Sequence, residues 1–274
     1  MEYRDGIAGI AGVFLVLMLL ECSIGDFIQR KLGKSRDALL DTLSAILVPG
    51  LMIPSVLFAS LTIANHVLPS EQDAWSQWHP ALMFGLLCLG DDLPQYWWHR
   101  LSHTSWLFPL HRAHHSAPYL SVRVVYRNNL IYYALMPGLW ISGFLLYLGF
   151  GETYVYYASL KLLVIATAHS NVRWDQPLLR FRITRALLWI VERTFSTPMT
   201  HAAHHGLHAH DPATHYQGNF GNLLFVWDIL FGTAKITRKL PTEYGVERLT
   251  PVPWWRELLI PSRSRLIEPT SLDR

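Results

Sequence analysis

The sequence predicts an all-α integral membrane protein of about four to five membrane-spanning or hairpin helices, with a histidine-rich helical cap on one face. Three observations predict it. Hydrophobic residues make up 51% of the 274 positions and charged ones only 16%, and mean hydropathy is +0.19, a membrane-protein balance. Apolar runs recur at about 7–27, 39–68, 78–98, 128–149 and 153–169, each near or above the length of a bilayer crossing or a deep hairpin. Eight of the 14 histidines fall into three tight clusters, His99 and His103, then His111, His114 and His115, then His201, His204 and His205.

The first run, Ile7 to Leu20, starts among mixed charges and shows no small-x-small cleavage site before Cys22, and Glu21 spoils a lipoprotein site, so it is expected to be an uncleaved anchor. The second is long and interrupted by Pro49 and Pro54. Arg30, Lys31, Lys34 and Arg36 separate these two runs, whereas the next loop, Pro69 to Pro80, carries Glu71 and Asp73 and no basic residue. The positive-inside rule then puts the basic loop in the cytoplasm. The third run returns inward, passes Tyr96, Trp97 and Trp98 at the depth of an aromatic belt, and delivers His99 and His103 to the cytoplasmic face. Runs four and five form a hairpin around Gly149-Phe150-Gly151 that returns to His169, followed by Arg173, Arg180, Arg182, Arg185 and Arg193 on the same basic side.

Lys161 lies inside the fifth run, where facing lipid is costly, so it points into the bundle, reaches an acidic partner, or marks a shallower hairpin. From Leu178 to Phe195 an amphipathic pattern fits either a membrane-surface helix or a cap helix packed on the histidine domain. The expected organisation is N-terminal transmembrane helices over 1–80, a catalytic domain over 81–235 and a cytoplasmic tail over 236–274. The setting is a multi-pass membrane protein of a bacterial inner membrane or endoplasmic reticulum, with the histidines cytoplasmic.

The histidine spacing carries the chemistry. Residues three and four apart share one helix face, so His99 and His103 stack, and each His-x-x-His-His triad projects three rings together. Pro109 ahead of His111, and Thr197-Pro198 ahead of His201, read as helix starts. Imidazole-rich sites without thiolates suit iron, copper, nickel or zinc, and eight ligands exceed the four to six that one ion usually takes. Two metal ions are implied. A low-complexity histidine tract is excluded by the spacing and by the apolar context. Cys22 and Cys88 match no zinc, iron-sulfur or disulfide spacing. The net charge of +3 comes without aromatic-interleaved basic patches, so no nucleic-acid partner is expected.

These motifs resemble the fatty acid hydroxylase superfamily, the integral-membrane group that includes sterol desaturases, sterol methyl oxidases and lipid hydroxylases. The resemblance covers roughly residues 85–235. It rests on the stretch from Asp92 through Tyr96 and His99-Arg100 to His103, on His111-Arg-Ala-His114-His115, on His169-Ser-Asn171-Val-Arg173, and on Thr197-Pro-Met-Thr-His201-Ala-Ala-His204-His205. The closing stretch from Gly218-Asn219-Phe220-Gly221-Asn222 to Trp227-Asp228-Ile-Leu-Phe231-Gly232-Thr233 is similar too.

The resemblance implies a di-iron centre ligated by His99, His103, His111, His114, His115, His201, His204 and His205, with His169 as the ligand between the boxes. Where the family sometimes has a further histidine, this chain has Arg173, so a tenth ligand falls to Asn171, His208, His215 or water. His208 shares the face of His204 and His205 if their helix continues, and is otherwise an outer or surface residue. His210 and His215 read as solvated or hydrogen-bonding, and His66 and His79 lie on the opposite membrane side. Asp92, two helical turns before His99, either orients a ligand imidazole by accepting its other N–H or is an interfacial carboxylate.

The activity so implied is oxygen insertion into a lipid C–H bond, or desaturation at the same site. No catalytic residue beyond the metal centre and no organic cofactor site is expected. Dioxygen and a separate ferredoxin or reductase would complete the reaction, since the sequence shows no nucleotide-binding, haem or iron-sulfur motif. A membrane zinc hydrolase or metal carrier is the alternative of another class.

Overall fold

The computed structural model describes residues 35–262 and, before them, positions 12, 15, 16 and 19–21. Most of the first apolar run, together with Arg30, Lys31 and Lys34, lies outside the described residues. Beyond that point the chain is helical. Among the described residues there is no strand, only the isolated bridges Phe195 to Leu224 and Gly206 to Tyr244.

Helix α1 (Ser35–Leu47) continues through a π-helical turn (Val48–Met52) into α2 (Ile53–Val67). Pro49 brings no N–H to the ladder, and the helix widens by one turn there instead of breaking. This run, Arg36–Val67, has 32 residues, and an 18-residue stretch of it has a mean hydropathy of 2.1. It is the one helix, among the described residues, long and apolar enough to cross a membrane. The four to five crossings expected from the apolar runs are therefore met in length and apolarity by a single helix. The run at 78–98 forms α3 (Pro80–Leu87), a second π-turn (Cys88–Asp92) and the start of α4 (Leu93–Ser102). The run at 128–149 splits into α6 (Leu130–Ala134) and α7 (Pro137–Tyr147) because Met136, ahead of Pro137, is extended. The last, α8 (Gly151–His169), interrupts its apolar face with tyrosines and Lys161.

Packing brings the histidine-bearing elements together. Helix α2 lies along α7, where the Ser60 hydroxyl donates to the Trp140 carbonyl at 2.5 Å. One apolar cluster joins Ala64, Met83, Leu87, Leu145, Phe150 and Tyr157, and a second joins Val48, Val56, Trp98, Leu110, Tyr132 and Leu139. The second box lies on α5 (Phe108–His115). Arg127, fully buried, ties α5 to α1 by donating to the Ala113 carbonyl at 2.9 Å while pairing with Asp41 at 2.9 Å and Asp37 at 2.8 Å. Arg112 pairs with buried Glu257 of the helix Trp254–Leu259, so residues C-terminal to 236 also pack against α5.

Helix α9 (Arg182–Thr194) buries Leu188 and Glu192 but leaves Ile183, Leu187, Trp189 and Ile190 exposed. It thus packs through one stripe and presents an apolar face outward. The third box sits on α10 (Pro198–His204), and α11 (Val226–Leu230) follows.

Candidate metal centre

Helix α10 starts where the sequence places it. Thr197 accepts the Thr200 N–H while the Thr200 hydroxyl accepts the Thr197 N–H, a reciprocal cap with Pro198 in the first turn. The Asp175 carboxylate takes a further amide of that first turn, Met199 N–H, at 2.7 Å. The second-box helix has Pro109 in its first turn but no side-chain cap, its N-cap being Leu107.

The nine predicted histidines converge, all buried, the most accessible being His103 at 7%. They form two sets whose nitrogens lie within 4.8 Å of one another: His99, His103, His111, His115 and His204 in one, His114, His169, His201 and His205 in the other. Each triad is therefore divided between the sets. On a helix, i and i+4 are about 40° apart whereas i+3 falls about 60° to the other side of i. His111 and His115 thus face one set and His114 the other, and His201 and His205 part from His204 in the same way.

Five rings are oriented by an outer acceptor. Nδ1–H donates from His99 to the Phe220 carbonyl at 2.8 Å, from His111 to Asn128 Oδ1 at 2.8 Å, and from His114 to the Val124 carbonyl at 3.0 Å. The same bond runs from His169 to the Ile165 carbonyl at 2.8 Å and from His204 to the Gly218 carbonyl at 2.7 Å. Each leaves the lone pair on Nε2, facing inward.

The donor set fits metal. Nε2 of His99, His103 and His204 is buried with no hydrogen-bond partner, an expensive state for a polar atom without a ligand. Elsewhere Nε2 faces Nε2: His114 to His169 at 3.2 Å, His169 to His201 at 2.9 Å, His201 to His205 at 3.1 Å, and His111 to His115 at 3.2 Å. Two imidazoles binding one ion at about 2.1 Å and at right angles stand about 3.0 Å apart. Burial pushes His99 down to about 4 and His103, His111, His114, His115, His201, His204 and His205 well below the usual histidine range, with neighbouring imidazoles adding to the depression in those seven. At neutral pH these rings are uncharged and their lone pairs are free to bind.

That depression has a measurable consequence. Above the ordinary histidine value near 6.5, folded and unfolded rings are both neutral. Below it the unfolded chain takes up protons that the buried rings refuse, so stability of the metal-free protein falls as pH drops from 6.5 toward 4, by about 1 kcal/mol per pH unit for each ring still neutral. The melting temperature of metal-free protein is expected to be level near pH 7 and to drop steeply between pH 6.5 and 5; a level profile through that window would contradict the burial of neutral rings.

The remaining sequence candidates lie elsewhere. Asp92 orients no imidazole: it accepts Leu223 N–H at 3.2 Å, Leu224 N–H at 3.1 Å and Trp227 Nε1–H at 2.8 Å, pinning a loop. Asn171 donates its backbone N–H to Glu21 at 2.7 Å. His208 is not carried on by the third-box helix, which ends at His204. It contacts Glu247 at 3.0 Å and Glu243 at 2.9 Å, and those carboxylates raise its pKa at the surface. His215 hydrogen-bonds the Thr233 carbonyl at 3.1 Å.

Two residues escaped sequence reading. Asn128 gave no signal. Asp228 stands in the Trp-Asp stretch and accepts Phe220 N–H at 2.8 Å, Gly221 N–H at 2.6 Å and the Thr233 hydroxyl at 2.6 Å. At Gly221 a Cβ would stand 2.8 Å from Asp228 Oδ2 and 2.7 Å from the Leu224 carbonyl, so only glycine permits this approach. The Phe220 and Gly218 carbonyls that orient His99 and His204 belong to this clamped loop.

A cavity of about 490 Å³ reaches His99, His111, His114 and His169 and extends between apolar residues of α2, α7 and α8, among them Ile53, Leu57, Phe58, Leu139, Ala158 and Leu162.

Comparison with known proteins gives one family model, described as fatty acid hydroxylase, which matches residues 84–233. Among curated proteins, alkylglycerol monooxygenase of Homo sapiens is 24% identical over 244 residues, covering 85% of this chain and 48% of the human protein. The alkylglycerol monooxygenase of Danio rerio is 28% identical over 194 residues, covering 68% of this chain and 37% of that protein. The chain thus spans about half the length, or less, of these curated relatives. No solved structure matches.

Proposed function

The chain belongs to the fatty acid hydroxylase family, and from that premise we propose that it is a membrane-bound, iron-dependent monooxygenase that inserts oxygen into a C–H bond of an alkyl-chain lipid. The observation that carries this reading is the junction of the two histidine sets with an apolar cavity of about 490 Å³. His99, His103, His111, His115 and His204 would hold one iron ion, and His114, His169, His201 and His205 the other. Iron, when bound, activates dioxygen for attack on an unactivated C–H bond, chemistry that side chains do not perform unaided.

The protein's own residues supply the setting. Leu57, Phe58, Leu139 and Leu162 exclude water and align an apolar chain toward the histidines. The outer acceptors hold five imidazoles with Nε2 inward, so little reorganisation is needed when metal and substrate bind. The apolar run Arg36–Val67 and the exposed apolar face of α9 support membrane association. Positive-inside placement of Arg30, Lys31, Lys34 and Arg36 puts the histidines on the cytoplasmic side. Electrons come from a separate ferredoxin or reductase, and the lipid from the bilayer.

The test is turnover of the full chain in lipid nanodiscs with ferrous iron, a reductant and labelled dioxygen, followed by mass analysis of the lipid. One labelled oxygen gained per product is expected. Loss of two hydrogens without oxygen would replace this reading with a desaturase, and a product formed equally well without air would replace it with a hydrolase.

A further inference from the structure

Lys161 enters the same cavity. Its ammonium lies 2.6 Å from Asp91 Oδ2, with the lysine side chain 12% and the aspartate side chain 5% exposed, and both residues line the cavity that reaches His99 and His169. An ion pair within an apolar bundle carries a desolvation cost that its Coulomb attraction barely offsets, and ionisable groups at such depth mark functional positions. The fold also builds space for this one. A Cβ on Gly138 would collide with Asp91 Oδ1 and stand 2.7 Å from the Asp91 carbonyl, so α7 approaches the pair only because it has glycine there.

The placement is regular on both walls. Asp91, Gln95 and His99 follow one another at four-residue intervals, and Lys161 and His169 stand eight residues apart on α8. Eight residues rise about 12 Å, so the pair stands roughly that far along the cavity from the histidines. Between them, one turn from Asp91, the Gln95 carbonyl oxygen is buried without a hydrogen-bond partner. The Lys161 ammonium donates one hydrogen bond to Asp91 and has two further N–H groups to offer. The wall therefore offers a donor whose charge is already balanced and, about one turn away, an unsatisfied acceptor.

We propose that Lys161, held by Asp91, and Gln95 form a polar subsite that binds a hydroxyl group of the substrate, the lysine ammonium donating a hydrogen bond to the hydroxyl oxygen and the hydroxyl O–H donating one to the Gln95 carbonyl. The ligand class is an aliphatic chain bearing a neutral hydroxyl. A carboxylate meets Asp91 and supplies no proton to Gln95, an ether supplies none either, and a plain alkane satisfies neither atom. This inference rests on the cavity being the lipid site of the proposed function. Its test requires binding alone.

The experiment measures equilibrium binding of radiolabelled 1-hexadecanol, hexadecane, hexadecyl methyl ether and hexadecanoate to metal-free full-length protein in nanodiscs, corrected with empty nanodiscs. The alkanol is expected to bind at least about tenfold more tightly than the alkane, the size of one hydrogen bond to a charged group, and more tightly than the ether or the carboxylate. Lys161→Met should bring the alkanol-to-alkane ratio to about 1, Gln95→Leu should erase the preference over the ether, and Lys161→Arg should keep part of the discrimination. If Lys161→Met fails to fold because Asp91 is left unpaired, the double variant Lys161→Met/Asp91→Asn removes both charges. Equal binding of alkanol and alkane by the unaltered protein, tighter binding of the carboxylate, or full discrimination retained without Lys161 would overturn the proposal. Discrimination without any oxygenated product would sink the proposed function and leave the subsite standing.

Discussion

His204→Ala is expected to lower bound iron from about two ions per chain to at most about one. Its Nδ1–H is held by the Gly218 carbonyl at 2.7 Å, its Nε2 has no protein partner, and its ring lies 4.6 Å from that of His103 and 4.7 Å from those of His99 and His115. Alanine removes a nitrogen from the middle of the five-histidine set, and no side chain nearby can replace it. Activity should fall by more than the roughly 10–100-fold that loss of an outer hydrogen-bond partner costs a metal site. His201→Ala should instead empty the other set, since His201 contacts both His169 and His205 through Nε2. His66→Ala, on the exposed side of α2, should change neither metal nor turnover. Metal analysis of anaerobically purified protein checks all three, and two ions retained in His204→Ala would refute its assignment as a ligand.

Asp228→Asn is expected to weaken iron binding by about 10–100-fold without removing any ligand. The buried carboxylate receives two backbone N–H groups and one hydroxyl. An asparagine has one carbonyl oxygen, so its amino group is turned toward a donor and one N–H is left unsatisfied. The loop carrying the Phe220 and Gly218 carbonyls then loosens, and His99 and His204 lose their fixed orientation. Iron titration gives the affinity, and the ligand-field spectrum of cobalt-substituted protein reports the altered geometry independently of turnover. Unchanged affinity and spectrum would show that Asp228 holds the loop for stability alone.

Much of the site was legible because most of its histidines fall in local patterns. Histidines at i, i+3 and i+4 lie on one side of the helix wherever the segment is helical, and Thr197-Pro198 starts a helix through groups within three residues of each other. All nine converge. Lys161 was legible only as a problem, since an apolar run states the cost of a charge and not where the compensating Asp91 lies. His208 stayed open in the sequence because its helical face exists only if the helix continues, and the chain turns after His205 to bond with the segment around Tyr244. Asp92 stayed open too, because the choice between a histidine and the backbone amides of residues 223 and 224 depends on contacts about 130 positions apart in the chain.

The crossings divide along the same line. Apolar length alone marked 39–68 and the structure has one continuous helical run there, whereas 128–149 is also apolar but extended backbone ahead of Pro137 divides it into two shorter helices.

By itself, the sequence determined the helical class, the eight clustered histidines and the helix starts ahead of the two triads, because propensity, capping and face-sharing act within a few residues, while His169 was marked only by the family resemblance. Only tertiary structure decided which histidines of different helices meet in each set, which carbonyls orient the rings, and that Asp91 faces Lys161 beside an apolar cavity. Those outcomes depend on the angle and depth at which helices pack, and distant side chains set both together.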